Sequence, residues 1–248
     1  MLPKIDLSEI ADQLRRAGEE IQRIHDDTGA HLEPPPQVAL RGLEGLLDRL
    51  RASDTDDPAA AAQRLRAATG AEPSALLEHG LALLGKVAEA GARLGLDQQA
   101  QTVEIQAVPL SCWLLRRGAE LARPEPVVHA LATLANRLIE PDDLGELYGL
   151  MNEIAEGISP DRILGLDPEN PTDPWLILLI NRGIVATRSH QPALMTAAFD
   201  AIVAQIPEHA PHFFREGMGQ MELLDYPPQV RELMRQYYDR WCSGQRLH

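Results

Sequence analysis

The sequence predicts an all-α protein, a helical array of about ten to eleven helices. Apolar residues recur at helical spacing in nearly every segment, and no run alternates convincingly between apolar and polar residues as a strand would. Aromatic residues make up only 4% of the 248 residues, so leucine, alanine, isoleucine and valine must build most of the core. That composition suits packing of helix against helix better than a sandwich of sheets.

The first element is an N-terminal amphipathic helix within residues 1–27, which begins near Asp6 or Ser8. Its apolar residues follow a heptad spacing, here called the seam: Leu7, Ile10, Leu14, Ala17, Ile21 and Ile24. The flanking positions Ala11 and Gly18 are small, whereas a dimeric coiled coil often carries charged residues there. We therefore expect the seam to pack against the protein's own body. A homodimer through this 7–24 seam is the alternative.

The N-terminal helical region follows, over residues 36–108. Three consecutive prolines in TGAHLEPPPQ at 28–37 cannot continue a helix, so this stretch separates the region from the first helix. ASDTDDP at 52–58 predicts a second loop, and an alanine-rich helix comes after it.

Two further helices complete this region. Ser74 predicts the N-cap of a helix that runs to about Leu94. Asp97 opens a long helix, which Pro109 should kink because proline removes a backbone donor and crowds the preceding turn.

The second half, residues 109–248, continues the helical pattern. Helices are predicted near 126–139, 142–156, 174–187, 192–206, 211–225 and 228–242. GLDPENPTDP at 165–174 contains three prolines and several acids, and predicts a linker.

This half also contains an apparent internal repeat. WLLRRGAELA begins at Trp113 and WLILLINRGIVA begins at Trp175, and the helix-opening Pro126 and Pro192 are 66 residues apart. Two three-helix units of about 65 residues, stacked as in a solenoid, would explain this spacing. A single domain for the whole chain is the alternative.

Composition excludes several classes of function. A net charge of −14 argues against nucleic-acid binding, which needs a basic surface. The longest apolar run, WLILLI, is too short to span a bilayer, and MLPKIDLSEI lacks the features of a secretory signal. Cys112 and Cys242 fit no ligand spacing, so we expect free thiols, a cytoplasmic location and no cofactor. A lysine-poor, arginine- and alanine-rich chain suggests a bacterial source.

Acidic residues are concentrated between Glu140 and Pro174, a stretch that contains ten acidic residues and one basic residue. On the helix predicted there, the outer face carries Asp142, Glu146, Glu153 and Glu156. We interpret this face as a docking surface for a protein partner with a basic surface, because opposite charges raise association rates and specificity. A solvated face without a partner is the alternative.

Two arginines occupy matching positions of the apparent repeat. Arg117 and Arg182 are 65 residues apart, each followed by glycine. Guanidinium groups bind carboxylates and phosphates through paired hydrogen bonds, so the two residues are candidates for lining a partner-binding groove. Their solvation at the surface is the alternative.

The stretch PEHAPHFFREGMGQM at 207–221 carries the candidate metal or acid/base residues His209, His212 and Glu216. With Pro211 at the first helical position, one face of the helix is apolar: Phe213, Phe214, Gly217, Met218, Met221 and Leu224. His212 and Glu216 then point to the polar side, which disfavours a buried metal site. The pattern therefore favours architecture over chemistry, and no catalytic residue is predicted.

These observations predict a non-enzymatic cytoplasmic helical-repeat interaction or adaptor protein, which presents an acidic face to a protein partner. One alternative is a helical-bundle metal-binding protein or enzyme that uses His209, His212 and Glu216. The other is a dimeric ligand-sensing domain with the first helix as its dimer seam.

Overall fold

The structure, a computed structural model, describes residues 2–55, 57–159, 163, 165 and 170–242. Twelve helices have both ends within these residues, and they confirm the all-α fold class. They are α1 (Leu7–Thr28), α2 (Pro36–Ala52), α3 (Pro58–Thr69), α4 (Pro73–Arg93), α5 (Asp97–Ile105), α6 (Ala107–Leu115), α7 (Glu125–Arg137), α8 (Pro141–Gly157), α9 (Pro174–Arg188), α10 (Pro192–Gln205), α11 (Ala210–Leu223) and α12 (Pro228–Cys242). Within the described part of the chain, none of these helices is long and apolar enough to cross a membrane.

Local sequence signals explain most helix starts. Seven of the helices with described bounds begin at a proline, which lacks the backbone N–H that a first-turn residue would leave unpaired. At the start of α1, one carboxylate oxygen of Asp6 accepts hydrogen bonds from the backbone N–H of Ser8 and Glu9, both at 2.9 Å. Ser74 was predicted to cap α4, and this prediction is wrong. The helix begins one residue earlier, and the Ser74 hydroxyl oxygen accepts a hydrogen bond from the N–H of Glu120 at 2.9 Å.

The long helix predicted from Asp97 is interrupted, which explains why the structure has more helices than predicted. The interruption falls at Gln106, three residues before Pro109. Proline offers no N–H to the carbonyl four residues earlier, here that of Ile105, and its ring crowds that carbonyl. The Gln106 N–H accordingly bonds to the carbonyl of Val103, three residues back, at 3.1 Å.

The chain forms two compact units. Of the described residues, the N-terminal unit comprises 3–55, 57–133 and 153–159, and the C-terminal unit comprises 134–152, 163, 165 and 170–242 together with Leu2. The predicted boundary at 108/109 and the 65-residue repeat remain predictions. Residues 166–169 of the predicted 165–174 linker lie outside the described residues.

In the N-terminal unit, the seam of α1 is buried within the chain. Five of its six residues, Leu7, Ile10, Leu14, Ala17 and Ile21, are each at most 5% exposed, Ile24 is half-buried, and α1 packs against α2 and α5. Helix α4 contacts α1, α2, α3, α5 and α6. The seam therefore packs on the protein's own body, and a homodimer through the same residues would require α1 to detach.

In the C-terminal unit, α9 packs against α10, while α12 packs against both α11 and α10. All three phenylalanines of the protein, Phe199, Phe213 and Phe214, form one cluster with Tyr237, with ring centroids 5.1–5.5 Å apart. Most of these rings meet edge to face, the favoured geometry for aromatic pairs. The FFREGMG stretch thus contributes to the core of this unit.

Candidate functional site

An open groove of about 700 Å³ lies between α9 and α11 in the C-terminal unit. Its floor consists of buried apolar side chains, those of Leu176, Phe213, Met221 and Met234. Its walls carry apolar side chains that remain partly in solvent, Ile177, Ile180, Ile184, Leu224 and Tyr226. Ile184 is 41% and Leu224 is 51% exposed, so the groove presents apolar surface to solvent.

The sequence of α9 explains one wall of this groove. Trp175, Leu178 and Leu179 are buried and face the unit's interior. Ile177, Ile180 and Ile184 follow at spacings of three and four residues, which places a second apolar stripe on the helix. A helix with two apolar stripes has more apolar surface than its own unit covers. The run WLILLI at 175–180 carries residues of both stripes and is the sequence signal that indicates this wall.

Glycines set the packing beside the groove. A Cβ atom at Gly183 would lie 2.5 Å from the Phe213 ring and 2.8 Å from Ile202, so this glycine permits α9 to approach α10 and α11 closely. A Cβ at Gly217 would lie 2.6 Å from the Met234 sulfur, so this glycine permits α11 to approach α12 closely. At Gly219, no described atom lies within 4 Å of that position, so close packing does not require a glycine there.

The rim of the groove is polar. His212, Glu216 and Gln220 follow one another at four-residue spacing on α11, and all three are exposed. The exposure of His212 and Glu216 agrees with the sequence prediction. That prediction missed that these residues border a groove together with Phe213 and Met221.

Arg188 also lines the groove, and its guanidinium is hydrogen-bonded to backbone carbonyls. Its two terminal nitrogens donate hydrogen bonds to the carbonyls of Ala135 and Leu138, both at 2.6 Å. These carbonyls lie at the C-terminal end of α7, where a cation is favoured by the helix dipole. Tyr226 lies across the rim, and burial raises the pKa of its phenol while the charge of Arg188 opposes that rise.

The candidate metal ligands do not form a cluster. His209, His212 and Glu216 all line the groove. Within the described residues, however, no three His, Cys, Asp or Glu side chains are grouped so that they could hold a metal ion. The three residues therefore give the groove a polar border.

The two candidate arginines belong to different units and have separate partners. The guanidinium of Arg117 stacks 3.4 Å from the centre of the Trp113 ring and forms an ion pair with Asp54. Arg182 lies in the middle of α9 and donates a hydrogen bond to the side-chain oxygen of Asn152 at 2.6 Å. Neither side chain is fully solvated, and Arg182 does not line the α9–α11 groove.

The acidic candidates on α8 separate into two groups. Asp142, Glu146 and Glu156 are exposed. Glu153 is half-buried and accepts two hydrogen bonds from Arg116, the residue that follows α6, at 2.8 and 2.9 Å. Glu153 therefore has a partner within its own unit. Asp161 and the linker acids Asp167 and Glu169 lie outside the described residues.

The fold and the groove together define a class: an all-α protein with an amphipathic groove between two helices. No family model, curated protein or solved structure matches the chain.

Proposed function

We propose that the protein is a non-enzymatic interaction or adaptor protein whose α9–α11 groove binds an amphipathic helix of a partner protein. The observation that supports this function is the exposed apolar surface of Ile184 and Leu224 above a buried apolar floor. Contiguous exposed apolar surface with a polar rim is typical of interaction sites.

The shape of the groove favours a helix as its occupant. The groove lies between two helices, and a third helix packs in such a position at an interaxial distance of about 8–10 Å. Helix α9 contains 15 residues and is therefore about 22 Å long. A partner helix of similar length would present apolar side chains at three- and four-residue spacing to the floor. The flexible side chains of Met221 and Met234 would adapt to its shape.

Charge favours a basic partner helix. Glu208, Glu216 and Glu222 are exposed on or beside α11, and Asp142 and Glu146 are exposed on the part of α8 that belongs to the same unit. The chain as a whole carries −14 charges. Lysine or arginine on the polar side of a partner helix would speed its association with such a surface.

A designed peptide tests this function directly. A fluorescently labelled amphipathic helix of about 18 residues, built from leucine and lysine, presents the expected stripe and charge. Binding measured by fluorescence anisotropy at physiological salt should be saturable. A scrambled peptide of the same composition should not bind, and a leucine–glutamate helix should bind more weakly.

Variants of the groove wall locate the binding. Ile184→Ser with Leu224→Ser removes two exposed apolar anchors and should weaken binding by about thirtyfold or more, since each anchor is worth about 1–2 kcal/mol when covered. Ile139→Ser is the matched control, because Ile139 is 81% exposed and lies outside the groove. Equal binding by the double variant and the wild type would rule out the groove as the binding site.

A further inference from the structure

The N-terminal unit has an open groove of its own, of about 700 Å³, between α1 and α2. Its floor is apolar: Leu14, Leu43 and Leu47 are buried, and Ala11 and Leu40 are half-buried. Of the seam residues, Leu14 alone lines this groove, and the other α1 residues along it belong to the neighbouring face of the helix. We call the residues that line it the α1–α2 face.

Charges of both signs border this face in equal number. Among the described residues that line it, the positive ones are Arg15, Arg23, Arg41 and Arg51, and the negative ones are Glu19, Asp26, Glu44 and Asp48. The face is thus neutral in a chain of net charge −14. A basic partner gains no net attraction here, and two copies can approach through this face without bringing a surplus of like charge together.

The order of charges along α1 allows two antiparallel copies of the helix to bring unlike charges together. Along the helix, the signs alternate from Arg15 to Glu19, Arg23 and Asp26, at spacings of four, four and three residues. When two such helices lie antiparallel about a two-fold axis, residues at equal distances from the axis meet. An axis near Ile21 places Arg15 opposite Asp26 of the partner subunit, and Glu19 opposite Arg23 of the partner subunit.

We propose that the α1–α2 face binds a second copy of this chain, with the two α1 helices antiparallel and paired in this register. Two-fold symmetry repeats each pair, so the register gives four unlike pairs. The existing pairs along α1, such as Arg15 with Asp12 and Arg23 with Glu20, are exposed. Exposed pairs contribute little stability, so their exchange for contacts across a dimer costs little.

The length of the face suits a stable dimer. Helix α1 contains 22 residues and is about 33 Å long, and α2 adds 17 residues beside it. A specific interface buries about 800 Å² on each partner, which is the scale of two adjacent helix faces of this length. The proposal is independent of the α9–α11 groove.

Sedimentation velocity of the full chain at about 1 to 200 μM, a range that covers weak dimers, tests the proposal. The wild type should pass from 27.3 kDa toward twice that mass as concentration rises. Glu19→Arg and Arg23→Glu each place like charges opposite one another twice, and each should raise the dimer Kd about tenfold or more. The double variant restores unlike pairs and should return the Kd to within about threefold of the wild type.

Glu232→Arg is the control, because Glu232 is an exposed, ion-paired residue of α12 outside the α1–α2 face. The dimer Kd of this variant should equal that of the wild type. Circular dichroism confirms that each variant is folded. A wild-type protein that stays monomeric at every concentration overturns the proposal. Single variants that dimerise like the wild type, or a double variant no better than the singles, overturn the register.

Discussion

At the scale of single residues, Gly183 shows how closely the C-terminal unit is packed. Gly183→Ala should lower the free energy of unfolding by about 1–2 kcal/mol. The added Cβ overlaps the Phe213 ring and Ile202, and the energy of this overlap exceeds what alanine gains over glycine in helix propensity. Urea denaturation followed by circular dichroism measures this change.

Gly149→Ala is the matched control, since Gly149 is exposed on α8 and no described atom lies within 4 Å of its would-be Cβ. This variant should raise the free energy of unfolding by about 0.5–1 kcal/mol. A Gly183→Ala protein as stable as Gly149→Ala would contradict the packing described for α9.

Cys112 provides a test of burial. The thiol is fully buried on α6, and burial raises its pKa to about 12, with the charge of Glu153 adding to the rise and that of Arg116 opposing it. The thiolate is the reactive form, so almost none is present at pH 8. In a Cys242→Ser background, Cys112 should react with Ellman's reagent only as fast as the protein unfolds. Urea should make the reaction immediate, and a rapid reaction without urea would show that the thiol is accessible.

At the scale of elements, the N-cap of α1 stabilises the first turn of a helix that contributes much of the core of the N-terminal unit. Asp6→Ala removes the acceptor for two backbone N–H groups and should cost about 1 kcal/mol of stability. Asp6→Asn keeps a side-chain oxygen in place and should cost much less. Thermal unfolding measures the melting temperatures of the wild type and both variants, and an Asp6→Ala protein that melts at the wild-type temperature would mean that the cap contributes nothing.

Elements also show why helix existence was easier to predict than helix boundaries. Periodicity identified the helices because each must bury one face, whatever its neighbours are. The interruption at Gln106 depends on how the chain accommodates Pro109, and either a kink or a break relieves the missing hydrogen bond. Ser74 resembled a cap in sequence, yet its hydroxyl bonds to Glu120, which is 46 residues away.

At the scale of the whole molecule, the sequence predicted the fold class and the burial of the seam. It predicted little of the candidate site, because the groove joins residues near 180 with residues near 216 and 224, and their meeting depends on tertiary packing. The partner of Glu153 is likewise 37 residues away. The charge and the apolar periodicity of a segment depend on neighbouring residues in the sequence. The ion pair of Glu153 and the shape of the groove depend on residues that only folding brings together.

The division of the chain has a consequence for synthesis on the ribosome. The N-terminal unit includes residues 153–160, which emerge after residues 134–152 of the other unit. Its late contacts are specific: the Leu121 N–H donates to the Gly157 carbonyl at 2.7 Å, and Glu153 pairs with Arg116. The first unit therefore cannot be completed during translation until part of the second has already left the exit tunnel. A nascent chain stalled before residue 153 would expose the surface that this late segment covers.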